Sequence, residues 1–127
     1  MDQKELARAV AERSGLSREE AADISRAVLE GLADQLSEGQ VRQLAAGLPV
    51  LPEQAQAPRR RRQGAHPVKL HDFIRKLSER TGLTQFDARA GTGAVLAMLR
   101  QVLSAEEYGH VMAQLPAEYG ELVAPGR

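Results

Sequence analysis

The sequence has no cysteine and no tryptophan, and only two phenylalanines and two tyrosines among its 127 residues. Without cysteine, the chain forms no disulfide bond, no thiolate metal site and no cysteine nucleophile, which suits a reducing compartment. A zinc site would depend on the three histidines and on carboxylates. A chain of this length buries one core without such crosslinks, so we expect a single domain over residues 1–127.

Long apolar runs are missing as well. The longest uncharged apolar run, Ala94 to Leu99, is far shorter than the ~20 residues that a membrane-spanning helix needs. The first residues are polar and charged, unlike the start of a secretory signal peptide. We therefore expect a soluble, cytoplasmic protein that does not associate with membranes.

One segment of the sequence occurs twice. Residues 15–49 return without a gap as residues 82–116, and we call two residues 67 positions apart (82 minus 15) counterparts. Identical counterparts include Gly15 and Gly82, Leu16 and Leu83, Leu32 and Leu99, Leu36 and Leu103, and Pro49 and Pro116. Each copy of such a repeat is a supersecondary unit that buries its apolar face against its neighbour. We predict an all-α fold of two three-helix repeats, residues 2–49 and 68–123, related by a pseudo-two-fold axis and joined by a Pro/Arg-rich linker, residues 50–67.

Capping patterns predict where the helices begin. Five of them start at Asp, Ser or Thr, with Glu, Gln or Asp three positions later, as in a capping box. These pairs are Asp2 and Glu5, Ser17 and Glu20, Ser37 and Gln40, Thr84 and Asp87, and Ser104 and Glu107. Apolar residues at spacings of three and four predict two long central helices, Arg18–Leu36 and Gln85–Leu103. A short last helix is expected after Pro116.

The doubled pattern resembles a bacterial family. Each copy has GLS or GLT after a charged first helix, AVL within a long helix and LP at the end of a short one. This arrangement resembles the family named domain of unknown function 2267 (DUF2267), from Leu6 to Leu122. The resemblance implies an all-helical protein without an assigned activity.

Residues 3–39 also resemble the first two helices of the histone-like HU/IHF DNA-binding proteins. In that family the helices form the dimerisation body, and β-arms that follow them grip the DNA. Here the segment after Gly39 has a helical pattern and no arm. The similarity therefore implies a shared helical packing unit and no DNA-binding arm.

The 17 basic and 17 acidic residues cancel, but four basic residues of the linker are consecutive: Arg59, Arg60, Arg61 and Arg62. This charge could neutralise phosphates of nucleic acid or bind another anionic partner, with an affinity that falls steeply as salt rises. The alternative is a solvated tether, because no aromatic residue lies nearby to stack on bases. The residues themselves leave both interpretations open.

No motif for catalysis, metal binding or cofactor binding is recognisable. His66 and His71 are separated by a proline and His110 is distant, so the three histidines predict no metal site. We therefore expect a non-enzymatic interaction or regulatory protein without cofactor or metal. It would be a monomer or a homodimer, and its protein partner is not identifiable from the residues.

Two substitutions between the copies stand out. Gly91 has Ile24 as its counterpart, and we expect the glycine to let another backbone approach closely. Phe86 has Glu19 as its counterpart, in the first turn of a helix. Phe86 either covers a neighbouring helix or forms part of a contact surface, and the first interpretation is favoured because a capped first turn often packs against the preceding helix.

Overall fold

The computed structural model describes residues 2–47 and 67–123, and these ranges contain helices and no strand. The α-helices are α1 Gln3–Ser14, α2 Arg18–Gln35, α3 Glu38–Gly47, α4 Leu70–Thr81, α5 Gln85–Val102 and α6 Ala105–Ala113. A 3-10 helix, Ala117–Val123, follows Pro116. The predicted all-α fold is confirmed for the described ranges. The four arginines Arg59 to Arg62, and His66, lie outside them.

The helix bounds in the two halves correspond. Helices α1 and α4 each have 12 residues, α2 and α5 each have 18, and each pair begins and ends 67 positions apart. Both α1 and α4 end at a glycine in the left-handed region, Gly15 with φ 80° and Gly82 with φ 77°. Glycine adopts this conformation without the steric cost that a Cβ atom brings.

The predicted caps are present. Asp2 and Ser17 form complete capping boxes with Glu5 and Glu20. The side chains of Ser37, Thr84 and Ser104 each accept the hydrogen bond from the backbone N–H three positions later. Helix α4 differs, because Lys69, at the N-cap position just before the helix, makes no side-chain cap. Its first amide, Leu70 N, instead donates to Oε2 of Glu118 at 2.7 Å.

The core lies around α2 and α5, which contact each other. Helix α1 packs on both of them, and α4 also packs on both. A Cβ atom added to Gly91 on α5 would lie 2.8 Å from Cγ1 of Ile24 on α2. The three atoms nearest to that point all belong to the Ile24 side chain, so the closest approach to Gly91 is made by a side chain, where we expected a backbone. A backbone does approach Gly93, whose added Cβ would lie 3.1 Å from the carbonyl oxygen of Leu122.

A buried polar network holds the 3-10 helix in place. Tyr119 is fully buried, and its hydroxyl accepts a hydrogen bond from Nε2 of Gln35 at 2.9 Å and donates one to the carbonyl of Val68 at 2.7 Å. The amide of Val68 donates to Oε1 of Gln35 at 2.8 Å, which completes a triangle. The ring of Phe73 meets the Tyr119 ring edge-on at 5.5 Å. Burial raises the pKa of Tyr119 to about 12.

Candidate functional site

Phe86 is the most exposed large apolar side chain of the described residues, with 80% of its surface accessible. The favoured interpretation, that it covers a neighbouring helix, is therefore wrong. Phe86 precedes the buried Ala88 by two positions, which places it about 200° around α5 from the buried face. Phe86 therefore lies on the side of α5 that faces away from the core, and its exposure shows that the packing around α5 leaves this side open.

Phe86 lines two grooves of the surface. We call the first, of about 490 Å³, the Gly93 groove. Small residues of α5 form its floor, α1 contributes Arg13, and the 3-10 helix contributes Leu122 and Val123. The second, of about 390 Å³, is the Ile74 groove, between α4, the start of α5 and the 3-10 helix. Three residues line both grooves, namely Phe86, Arg89 and Glu121.

The charges in the Gly93 groove are not paired with one another. Arg13 and Arg89 supply two guanidinium groups and Glu121 supplies one carboxylate. Within residues 2–47 and 67–123, none of these three side chains takes part in an ion pair. The groove therefore carries one net positive charge beside an exposed aromatic ring.

The counterpart of Arg13 has a different environment. Arg80 on α4 forms a salt bridge with Glu30 on α2. The counterparts of these two residues are Arg13 on α1 and Ala97 on α5, which both line the Gly93 groove. Arg13 therefore lacks the carboxylate that Arg80 has, because alanine occupies that position.

A family model with the description Uncharacterized conserved protein (DUF2267) matches residues 3–122. The chain belongs to the DUF2267 family. The resemblance drawn from the doubled pattern is thereby confirmed. The comparison with curated proteins finds no match. In this DUF2267 chain the matched range contains all six described α-helices and both grooves apart from Val123.

The grooved face of this DUF2267 protein differs in charge from the corresponding face of α2. At the counterparts of Phe86, Ala90 and Ala97, helix α2 carries only acidic residues: Glu19, Asp23 and Glu30. The sequence alone singles out the change at Phe86 but not the role of Ala97. The difference between Glu30 and Ala97 is visible in the sequence. It points to an unpaired Arg13 only once the structure shows that Arg80 forms a salt bridge with Glu30.

A third cavity, of about 450 Å³, lies between α3 and α6. Glu106, Glu107 and His110 line it, and the two glutamates are in the first turn of α6, where they complement the helix dipole. No group of three or more His, Cys, Asp or Glu residues that could hold a metal occurs in the described part of the chain. His71 is exposed and borders the Ile74 groove.

The described helices include none with the length and apolar character needed to cross a membrane.

Proposed function

We propose that this DUF2267 chain is a non-enzymatic helical protein that binds a protein partner on the surface formed by Phe86 and its two grooves. The observation that carries the proposal is the exposure of Phe86 at a position where the other copy has Glu19. A polar residue is therefore compatible with this place in the fold. Aromatic side chains next to well-formed depressions dominate the binding energy of many protein interfaces.

The scaffold that supports this surface is, in our proposal, a pair of repeats related by a pseudo-two-fold axis near Ile24 and Gly91. These counterparts contact each other, as residues close to such an axis must. Helix α1 packs on α5 and its counterpart α4 packs on α2, which is the exchange that the axis requires. Two similar halves then share a core while their outer faces are free to differ.

The shape of the surface fits a partner segment better than a small substrate. Both grooves are open, and Phe86 lines both of them. A partner helix or extended segment could place apolar side chains in the grooves and cover the ring, as in helix-in-groove recognition. The lack of cysteine is our basis for proposing a cytoplasmic location.

The test is selection from a library of random short peptides displayed on phage, with the purified protein as bait. A Phe86→Glu variant introduces the residue of the other copy and suits the first turn of a helix. Val102→Glu is the matched control, because Val102 lies on the same helix and is the other exposed large apolar residue within residues 2–47 and 67–123, at 42%.

We expect the wild type and Val102→Glu to enrich a common peptide motif and Phe86→Glu to lose it. Individual peptides should bind Phe86→Glu at least roughly tenfold more weakly, as expected for an aromatic hot spot. The proposal is wrong if no motif is enriched, or if the motif is retained by Phe86→Glu.

A second candidate function is binding of nucleic acid or another anionic partner through the linker. The observation that favours it is the run of four arginines, Arg59 to Arg62. This function is compatible with the first, because the arginines and the Phe86 surface belong to different parts of the chain.

A further inference from the structure

We infer that the partner segment bound at Phe86 carries an Asp or Glu whose carboxylate pairs with Arg13 in the Gly93 groove. This inference rests on the proposed function and adds the chemistry of the partner. Its basis is the comparison between Arg13 and its counterpart, Arg80.

Arg80, the counterpart of Arg13 in the other half, binds a carboxylate. Its guanidinium group is paired with the carboxylate of Glu30, whose side chain is only 14% exposed. The Glu30 side chain is thus mostly covered by its neighbours, whereas the side chain of Arg80 is 54% exposed. Pairing between arginine and a carboxylate is charge-assisted and stronger than a neutral hydrogen bond.

At the counterpart site the carboxylate is missing but the arginine is retained. Ala97 occupies the position of Glu30, so the methylene and carboxyl groups beyond Cβ are absent there. Arg13 and Ala97 both line the Gly93 groove, and no described residue forms an ion pair with Arg13. The groove therefore contains, beside Arg13, the space that a glutamate side chain occupies in the other half.

The surroundings favour an acidic segment of a protein over a free anion. Arg89 adds a second guanidinium group, and Glu121 partly offsets the positive charge. The floor of the groove is apolar, made of Ala90, Gly93, Ala94 and Ala97. A free anion would leave this floor and the exposed ring of Phe86 uncovered. A segment with an apolar residue beside a carboxylate satisfies both features.

The test extends the peptide selection to the variant Ala97→Glu, which supplies Arg13 with an internal carboxylate. Ala22→Glu is the matched control, because it adds the same charge at an exposed position of α2. We expect the wild type and Ala22→Glu to enrich peptides with an apolar residue near Asp or Glu. Ala97→Glu should still enrich the apolar residue, but Asp and Glu should fall to their frequency in the unselected library.

Affinities of one enriched peptide make the test quantitative. Changing its acidic residue to the amide should weaken binding to the wild type roughly tenfold, the size expected for losing a hydrogen bond to a charged group. The same change should have no effect on binding to Ala97→Glu. Arg13→Ala serves as a second variant, since it must also abolish the effect and it adds no atoms to the groove.

The outcomes separate the two proposals. If the wild type enriches an apolar motif without acidic residues, or if both variants keep the acidic preference, the inference about Arg13 is wrong and the proposed function stands. If the wild type enriches no peptides other than those that Phe86→Glu also enriches, the proposed function fails and the inference fails with it.

Discussion

Ile24 and Gly91 are counterparts in the doubled sequence, and they pack directly against each other. Cγ1 of Ile24 lies 2.8 Å from the point where a Cβ atom of Gly91 would be. No real Cβ atom tolerates such a distance without movement of its surroundings. One isoleucine and one glycine therefore fill this space between α2 and α5. Two isoleucines would not fit there, and two glycines would not fill it.

Gly91→Ala is expected to destabilise the protein. Overpacking against Ile24 costs about 1–3 kcal/mol, and over most of this range it outweighs the roughly 1 kcal/mol that alanine gains over glycine in a helix. Gly109→Ala is the control, because Gly109 is also helical and has no atom within 4 Å of the added Cβ. Urea denaturation should show a lower free energy of unfolding for Gly91→Ala than for Gly109→Ala. Equal stability of the two variants would contradict the packing at Ile24.

Glu118→Ala is expected to lower the free energy of unfolding by about 0.5–2 kcal/mol, the range for losing a helix N-cap. Glu118 accepts the hydrogen bond from Leu70 N, and Lys69 provides no cap of its own. Glu118→Gln keeps an acceptor oxygen and should retain most of the stability. Thermal denaturation by circular dichroism measures both variants, and the idea fails if Glu118→Gln is as unstable as Glu118→Ala.

The stability of the protein should fall at high pH because of Tyr119. Its pKa is raised from 10.0 to about 12 in the folded protein. Above pH 10 the unfolded chain loses this proton first, so the tyrosine's contribution is complete below pH 10 and is lost as the pH rises towards 12. The contribution of Tyr119 to the free energy of unfolding should decrease by about 1.4 kcal/mol per pH unit in that window.

Tyr119→Phe isolates this effect. The variant should be less stable at pH 7 by about 1–3 kcal/mol, because Gln35 and Val68 lose their buried partner. Between pH 10 and 12 its free energy of unfolding should fall less steeply than that of the wild type. Parallel pH profiles would show that Tyr119 is not the titrating group.

The arginine run is expected to bind nucleic acid in a strongly salt-dependent way if the linker has the second proposed function. Fluorescence anisotropy with labelled duplex DNA and single-stranded RNA, at low and near-physiological salt, measures the affinity. A variant with Arg59, Arg60, Arg61 and Arg62 changed to alanine should lose affinity, and its salt slope should fall by about 0.9 for each lost contact with a duplex phosphate. Equally weak binding by both proteins would identify the arginines as a solvated tether.

The helices and their ends were determined by the sequence itself. The capping residues Asp2, Ser17 and Thr84 and the glycines Gly15 and Gly82 act on backbone groups within four positions of themselves. Because these interactions are local, the order of letters is enough to locate them. The match between the two copies likewise predicted equal helix lengths.

Only the tertiary structure decided which surfaces matter. The exposure of Phe86, the packing of Ile24 on Gly91 and the lack of a carboxylate beside Arg13 each depend on how helices distant in sequence meet. The same is true of the hydrogen bonds that Tyr119 makes with Gln35, 84 positions away. Helical periodicity fixes which residues share a face, whereas the packing of faces that lie far apart in the chain fixes which of them remain open to a partner.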